Sequence, residues 1–162
     1  MYSQKFNKQR KQKMTSNYNK VRHLELLRRF LDLKKQGKDL YTENRDQGSE
    51  LLHYQSKLQD SIFWKRKEQF VLCMKNYGHD SIDFEHFKIA FSQLWRDSMK
   101  EDAIFTDPKR VQNFQYNPKA YGFCSLVTAI FRQFEVLEDE ECTEQEVKDY
   151  VRDMLQEIQP YL

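Results

Sequence analysis

The segment Ile82–Trp95, with the sequence IDFEHFKIAFSQLW, constrains the fold of this chain more than any other stretch. It concentrates large apolar side chains at positions i, i+3, i+7, i+10 and i+11, namely Phe84, Phe87, Phe91, Leu94 and Trp95. This spacing places them on one face of an α-helix. Because so aromatic a face must be buried, the rest of the chain has to supply apolar partners for it.

The same helical periodicity recurs along most of the chain, and no run alternates with period two for long enough to predict a strand. Thr143 and Glu146 form a capping-box pattern before the last helix, and Pro160 ends it. Between the helices we expect a polar linker and a long loop. The predicted helices are 17–36, 49–77, 82–95, 119–137 and the one after Thr143; the linker is Lys38–Gly48, the loop is Met99–Pro118, and the candidate N-caps are Ser49, Asp80, Ser81 and Asp83.

These patterns predict an all-α fold: an antiparallel four-helix bundle with an additional N-terminal helix and a basic arm. The arm is residues 1–16, which carry five bases and few apolar side chains, so we expect it to have no independent structure. Residues 17–48 form the N-terminal helix and linker, and residues 49–162 form the bundle. The apolar stripes predict one set of buried side chains: Phe84, Phe87, Phe91, Trp95, Phe123, Leu126, Ile130, Val151 and Leu155.

Cysteine and histidine positions argue against a metal or cofactor site. Cys73, Cys124 and Cys142 are far apart and odd in number, which suits a reducing compartment, and the four histidines are scattered. No segment contains the ~20 apolar residues that cross a bilayer. We therefore expect a soluble protein without metal or cofactor. The scarcity of Gly, Ala and Pro fits an AT-rich genome and so a bacterial cytoplasm or a plastid stroma, although a helical protein also avoids Gly and Pro.

Charge is distributed very unevenly along the chain. Residues 1–38 carry 12 Lys and Arg against 2 acids, a net of +10, whereas residues 135–157 carry 10 acids against 2 bases, a net of −8. The overall +2 therefore hides two opposite poles. A basic pole suits phosphate backbones or an acidic partner, and an acidic pole suits a basic protein. Two other interpretations stay open: the charges of either pole only keep the surface hydrated and the protein soluble, or the two poles attract one another.

The order of these segments resembles that of the small helical immunity proteins of the colicin D type. The resemblance covers roughly residues 50–158 and leaves residues 1–48 outside it. The shared order begins with a helix of acidic and aromatic residues that ends near Leu-Trp. A loop, an apolar helix, an acidic turn and an amphipathic last helix then follow. The matching pieces are IDFEHFKIAFSQLW, the loop Met99–Pro118, YGFCSLVTAIFRQFE and EDEECTEQEVKDYVRDMLQEI.

The resemblance implies a non-enzymatic helical bundle that blocks the basic active-site cleft of a tRNA-cutting toxin domain with acidic side chains. Carried over to this chain, the partner-binding candidates are Glu138, Asp139, Glu140, Glu141, Glu144 and Glu146. A net of +10 in the N-terminal region departs from such a role. The alternative function is therefore a nucleic-acid-associated or large-complex subunit that binds RNA through the bases of the arm: Lys5, Lys8, Arg10, Lys11 and Lys13.

No phosphate-binding loop, nucleophile elbow or metalloprotease motif occurs in the sequence, so an enzyme is the least favoured of the three classes. We expect no catalytic residues, a basic protein partner such as a nuclease domain, no membrane and an undetermined oligomeric state.

Overall fold

The structure is a computed structural model, and it describes residues 18–99, 105–139 and 141–162. Every regular element within these ranges is helical, which confirms the predicted all-α class. The basic arm, together with its five candidate residues, lies outside the described residues. The described elements are α1 (Lys20–Lys35), α2 (Leu40–Glu43), α3 (Arg45–Lys65), α4 (Lys67–Gly78), α5 (Phe84–Met99), α6 (Pro108–Asn113), α7 (Pro118–Glu138), α8 (Glu144–Glu157) and a 3-10 turn (Gln159–Tyr161).

The prediction of one long helix over residues 49–77 is wrong in two respects. The helix begins earlier, because the side chain of Asn44 accepts a hydrogen bond from Gln47 N at 3.1 Å and caps α3 where Ser49 was expected to do so. It is also interrupted at Arg66, whose backbone leaves the helical conformation between α3 and α4. No Gly or Pro marks this break, so local sequence signals do not reveal it.

Two segments predicted to be irregular contain short helices instead. α2 lies within the expected linker and α6 within the expected loop, and each begins with an aspartate cap, Asp39 or Asp107. Each buries one apolar side chain almost completely, Leu40 or Val111. A helix of four to six residues has little intrinsic stability, so its cap and its buried anchor hold it in place. Periodicity cannot show elements this short.

The packing of the chain divides into two compact units. Within the described residues, the first unit comprises 18–58 and 105–118, and the second comprises 59–99, 119–139 and 141–162. This division differs in position from the segments 17–48 and 49–162, which stay predictions about domain organisation. The first unit has its own apolar core, formed by Leu26, Leu27, Leu40, Leu51, Tyr54, Leu58, Val111 and Phe114.

The second unit has a core rich in phenylalanine, as the segment from Ile82 onward predicts. All nine expected core positions lie in this core or against it, and six of them are buried: Phe84, Phe87, Phe91, Phe123, Ile130 and Val151. Trp95, Leu126 and Leu155 are only partly buried, which corrects the expectation of full burial. Trp95 lies at the edge of its helical stripe, where it stacks on Phe131 with ring centroids 4.1 Å apart.

A left-handed residue ends α4 and turns the chain towards α5. Asp80 has φ of 60°, a conformation that glycine usually supplies. The N–H of Asp80 donates to Tyr77 O at 3.2 Å and the N–H of Ser81 donates to Asn76 O at 2.8 Å, which together form a Schellman motif. Asp83 then caps α5, because its side chain accepts a hydrogen bond from His86 N at 2.9 Å.

Candidate acidic interface

The turn between α7 and α8 presents acidic side chains to solvent. Glu138, Asp139 and Glu141 are all exposed, and Glu140 lies outside the described residues. Lys88 donates a hydrogen bond to Glu138 Oε1 at 2.7 Å, and this contact lowers the pKa of Glu138. Glu138 is therefore partly neutralised by a base of α5, whereas Asp139 and Glu141 add exposed negative charge to the turn.

The capping box predicted at the start of α8 is present. The N–H of Thr143 donates to Glu146 Oε2 at 2.7 Å, and Thr143 Oγ1 accepts from Glu146 N at 3.3 Å. Hydrogen bonding from the Thr143 backbone lowers the pKa of Glu146. Glu146 thus has a structural role at the N-terminus of α8, which makes it a poorer candidate for partner binding than the exposed Glu144.

Three further acids lie on the exposed face of α8 and were missed by the site prediction. Asp149, Asp153 and Glu157 are exposed and recur every four residues, so they lie in one row along the helix. The opposite face is buried through Val147 and Val151. The signal was available in the sequence, because the apolar stripe of an amphipathic helix also determines which positions face water.

Both bases of α8 contact Asp80, which follows the end of α4. Lys148 Nζ forms an ion pair with Asp80 Oδ1, and Arg152 Nη2 lies 3.3 Å from Asp80 Oδ2. The hydrogen bond from Lys148, followed by the charge of Lys148, lowers the pKa of Asp80. Arg152 also lies 3.6 Å from Asp149, whose charge it partly offsets. We call the exposed acids that remain the acidic surface: Asp139, Glu141, Glu144, Asp149, Asp153 and Glu157.

The cysteines have the environment of structural residues. Burial raises the pKa of Cys73 to about 11 and, together with the nearby Asp60, raises that of Cys124 to about 12. Desolvation raises the pKa of Cys142 as well, with Glu146 and Glu141 adding to the effect. All three thiols are therefore protonated near neutral pH, and the thiol is a poor nucleophile and metal ligand. Within the described ranges, no three His, Cys, Asp or Glu side chains are grouped to hold a metal ion.

His23 is the one described histidine that is fully buried. Its Nδ1 lies 3.0 Å from the Tyr18 hydroxyl and its ring stacks on Tyr54 with centroids 5.3 Å apart, while its Nε2 has no hydrogen-bond partner. Burial lowers the pKa of His23 to about 4, so the imidazole is neutral at physiological pH. The ring of His23 belongs to the aromatic core of the first unit, in which Tyr18 also contacts the rings of Phe114 and Tyr116.

Among the helices of the described chain, none has the length and apolar content needed to cross a membrane. The structure thus defines an all-α protein whose last long helix carries an acidic outer face. Comparison of the chain with protein-family models, with curated proteins and with solved structures found no match.

Proposed function

We propose that this chain is a non-enzymatic protein-binding module that uses the acidic surface to bind a basic protein, as an immunity protein of the colicin D type binds a nuclease domain. The observation that carries the proposal is the sorting of charge on α8. Its two bases contact Asp80, while Asp149, Asp153 and Glu157 face solvent along the helix. The helix therefore presents acids outward and keeps its bases beside another part of the same unit.

Such sorting has a cost in stability that binding can offset. Acids four residues apart on a helix repel one another, and the turn before α8 adds Asp139 and Glu141. A complementary basic partner removes this repulsion, speeds encounter and sets the register of the complex. A helix of 14 residues is ~20 Å long, which is comparable with one side of a standard protein interface.

We also propose that the acidic surface is presented by an antiparallel four-helix bundle within the second unit, formed by α4, α5, α7 and α8. The packing of α4 against both α5 and α8 supports this arrangement, as does the shared core that includes Phe70, Phe87 and Val151. A rigid bundle would keep the acidic row straight and would reduce the entropy lost on binding.

The test is titration with a defined basic partner, the tRNA-cutting nuclease domain of colicin D, by isothermal calorimetry at low and physiological salt. The variant Asp149→Asn/Asp153→Asn/Glu157→Gln should weaken binding at least about tenfold, because it removes the charge of the outward row and keeps Asp80, Lys148 and Arg152 unchanged. A matched control, Glu25→Gln/Asp32→Asn/Glu43→Gln, removes the same charge from exposed sites of the first unit and should leave affinity unchanged.

Binding that weakens equally in both triple variants would mean that only net charge matters and would contradict a specific surface. If the nuclease domain does not bind, the same pair of variants is compared in capture from the native source, followed by mass spectrometry. If the control variant captures a basic protein that the α8 variant does not, the acidic surface is supported as a binding site, and that protein takes the place of the nuclease domain as its partner. Equal capture by both variants would refute the surface itself.

A second candidate function is association with RNA through Lys5, Lys8, Arg10, Lys11 and Lys13. The net of +10 in residues 1–38 favours it, since phosphate binding depends on the number of basic contacts. Binding to single-stranded RNA should weaken steeply with salt, and deletion of residues 1–16 should reduce the salt slope. An unchanged slope after deletion would exclude the arm as the RNA-binding element.

A further inference from the structure

A groove on the second unit lies between the end of α4 and the last two turns of α8, and neither function above uses it. Its volume is about 460 Å³, within the range of pockets that hold small organic ligands. Seven described residues line it, and none of them is acidic: Lys75, Gly78, His79, Arg152, Leu155, Gln156 and Gln159. The groove therefore differs in charge from the outward face of α8, which is acidic.

Basic side chains approach the groove from both helices. Lys75 and His79 lie one turn apart at the end of α4 and are both exposed. Arg152 reaches the groove from α8 and is held in place, because its Nε donates to Gly78 O at 2.9 Å and its Nη2 lies 3.3 Å from Asp80. Its Nη1 lies 3.6 Å from Asp149. A guanidinium has five N–H donors, so these three contacts leave donors for a ligand.

The carbonyl groups that would repel an anion at the end of α4 are already occupied. Lys75 O accepts from His79 N, and Asn76 O and Tyr77 O accept within the Schellman motif. Gly78 O accepts from Arg152. The unfavourable negative end of the helix dipole is therefore partly capped where Lys75 and His79 are presented.

The floor of the groove is apolar and has room because residue 78 is glycine. A Cβ added at Gly78 would lie 3.3 Å from Leu155 Cδ1 and 3.6 Å from Arg152 Cγ, so a methyl group would project into the space between these side chains. Leu155 is only partly buried, which leaves apolar surface available to a ligand. Gln156 and Gln159 add amide groups at the rim.

We propose that this groove binds a small organic anion: a carboxylate or phosphate carried on a compact apolar body. The anionic group contacts Lys75, His79 and Arg152, and the apolar body lies on Leu155 and Gly78. Ligand sites commonly combine a mainly apolar surface with a few convergent polar groups, and that combination is present here. The residues that line the groove and the residues of the acidic surface do not overlap, so the two proposals can be tested separately.

The experiment follows backbone amide shifts of the full chain by NMR during titration with four probes. Phenyl phosphate and 3-phenylpropionate carry both an anion and a ring, 3-phenylpropan-1-ol carries only the ring, and inorganic phosphate carries only the anion. Both ring-bearing anions should shift residues 75–80 and 152–159, and each should bind at least about tenfold more tightly than the alcohol. A difference between the first two probes tells whether phosphate or carboxylate is preferred.

Two variants separate the contributions of charge and shape. Lys75→Gln/His79→Gln should weaken both anionic ring probes about tenfold, whereas Lys34→Gln/Lys35→Gln, which changes exposed bases of the first unit, should have no effect. Gly78→Ala should weaken the ring-bearing anions and leave inorganic phosphate unaffected. Thermal melting by circular dichroism verifies that each variant is folded, and if Gly78→Ala does not fold, the charge variants alone decide.

Three results would overturn the proposal. These are equal affinity for the alcohol and the anions, equal weakening in the groove variant and its first-unit control, and no shift in residues 75–80 and 152–159 at about 10 mM probe, where even a millimolar site would be occupied.

Discussion

Asp80 combines a strained backbone with two charged contacts. Non-glycine residues in the left-handed region are uncommon, and aspartate is among the side chains that tolerate it best. In return for that strain its carboxylate joins α8 to the end of α4 through Lys148 and Arg152. Glycine would relieve the backbone but would remove both ion pairs, so the choice of aspartate indicates that the contact with α8 matters here.

We predict that Asp80→Asn and Asp80→Ala both lower the melting temperature at neutral pH, with the larger loss for alanine. Asparagine tolerates the left-handed conformation and loses only the charge, whereas alanine loses the side-chain contacts and is strained as well. Because the pKa of Asp80 is lowered in the folded chain, its contribution is present above the ordinary value of 3.8 and is lost as the pH falls through the folded value. Melting curves should therefore show the gap between wild type and Asp80→Asn closing in acid; a gap that persists would contradict the ion pairs.

His23 makes a second pH-dependent contribution, in the first unit. Its pKa falls from 6.5 to about 4 on folding because burial disfavours the charged ring. Between these values the unfolded chain binds a proton that the folded chain does not, so stability is full above pH 6.5 and decreases as the pH falls towards 4. The loss amounts to at most ~3 kcal/mol.

The variant that tests this prediction is His23→Phe, which keeps a ring against Tyr54 and cannot be protonated. Urea unfolding followed by circular dichroism at about pH 7 and about pH 4.5 gives the change in unfolding free energy for each protein. Wild type should lose more stability than the variant over this interval. Equal losses would show that carboxylates alone account for the acid sensitivity.

At the scale of elements, α3 and α7 each contain a glycine where a neighbouring residue leaves no space for a Cβ. A Cβ at Gly48 of α3 would lie 2.6 Å from Tyr41 Cα, so the backbone next to α2 would have to move. A Cβ at Gly122 of α7 would lie 2.5 Å from the ring of Tyr161, which is the far end of a side chain and can move more readily than backbone. The two glycines therefore allow contacts of different rigidity.

We predict that Gly48→Ala destabilises the chain by ~1–3 kcal/mol, although alanine favours a helix by ~1 kcal/mol over glycine. The clash with the backbone of residue 41 exceeds the gain in helix propensity. Gly122→Ala should cost less, and Tyr161→Ala should remove most of that cost in the double variant. Denaturant unfolding of the wild type, the three single variants and the double variant measures these differences, and a stabilising Gly48→Ala would show that α2 can shift without penalty.

Prediction of elements from the sequence succeeded where an element is long and periodic. The stripe from Phe84 to Phe91 and the capping box at Thr143 and Glu146 are both present in the structure. It failed for α2 and α6, because a helix of four to six residues covers at most two turns and cannot show a period. It also failed at Arg66, where nothing in the local sequence marks the end of α3.

At the scale of the whole molecule, the charge poles suggest a separation of roles between the two ends of the chain. Deleting residues 1–16 removes five bases and, of the aromatic side chains, only Tyr2 and Phe6. The melting temperature should therefore barely change. Comparison of the two chains by circular dichroism tests this, and a large decrease would mean that the segment contributes to the folded core.

The sequence by itself determined the all-α class, the positions of the long helices other than the one predicted over residues 49–77, and the separation of charge, because periodicity and composition are local properties of the chain. Only the tertiary structure decided which acids remain available. Glu146 is used by the cap of α8 and Glu138 contacts Lys88, whereas Asp153 and Glu157 face solvent. Lys148 and Arg152 both contact Asp80, from which they are separated by 68 and 72 residues in the sequence. Contacts over such separations follow from packing between helices, which no local pattern encodes.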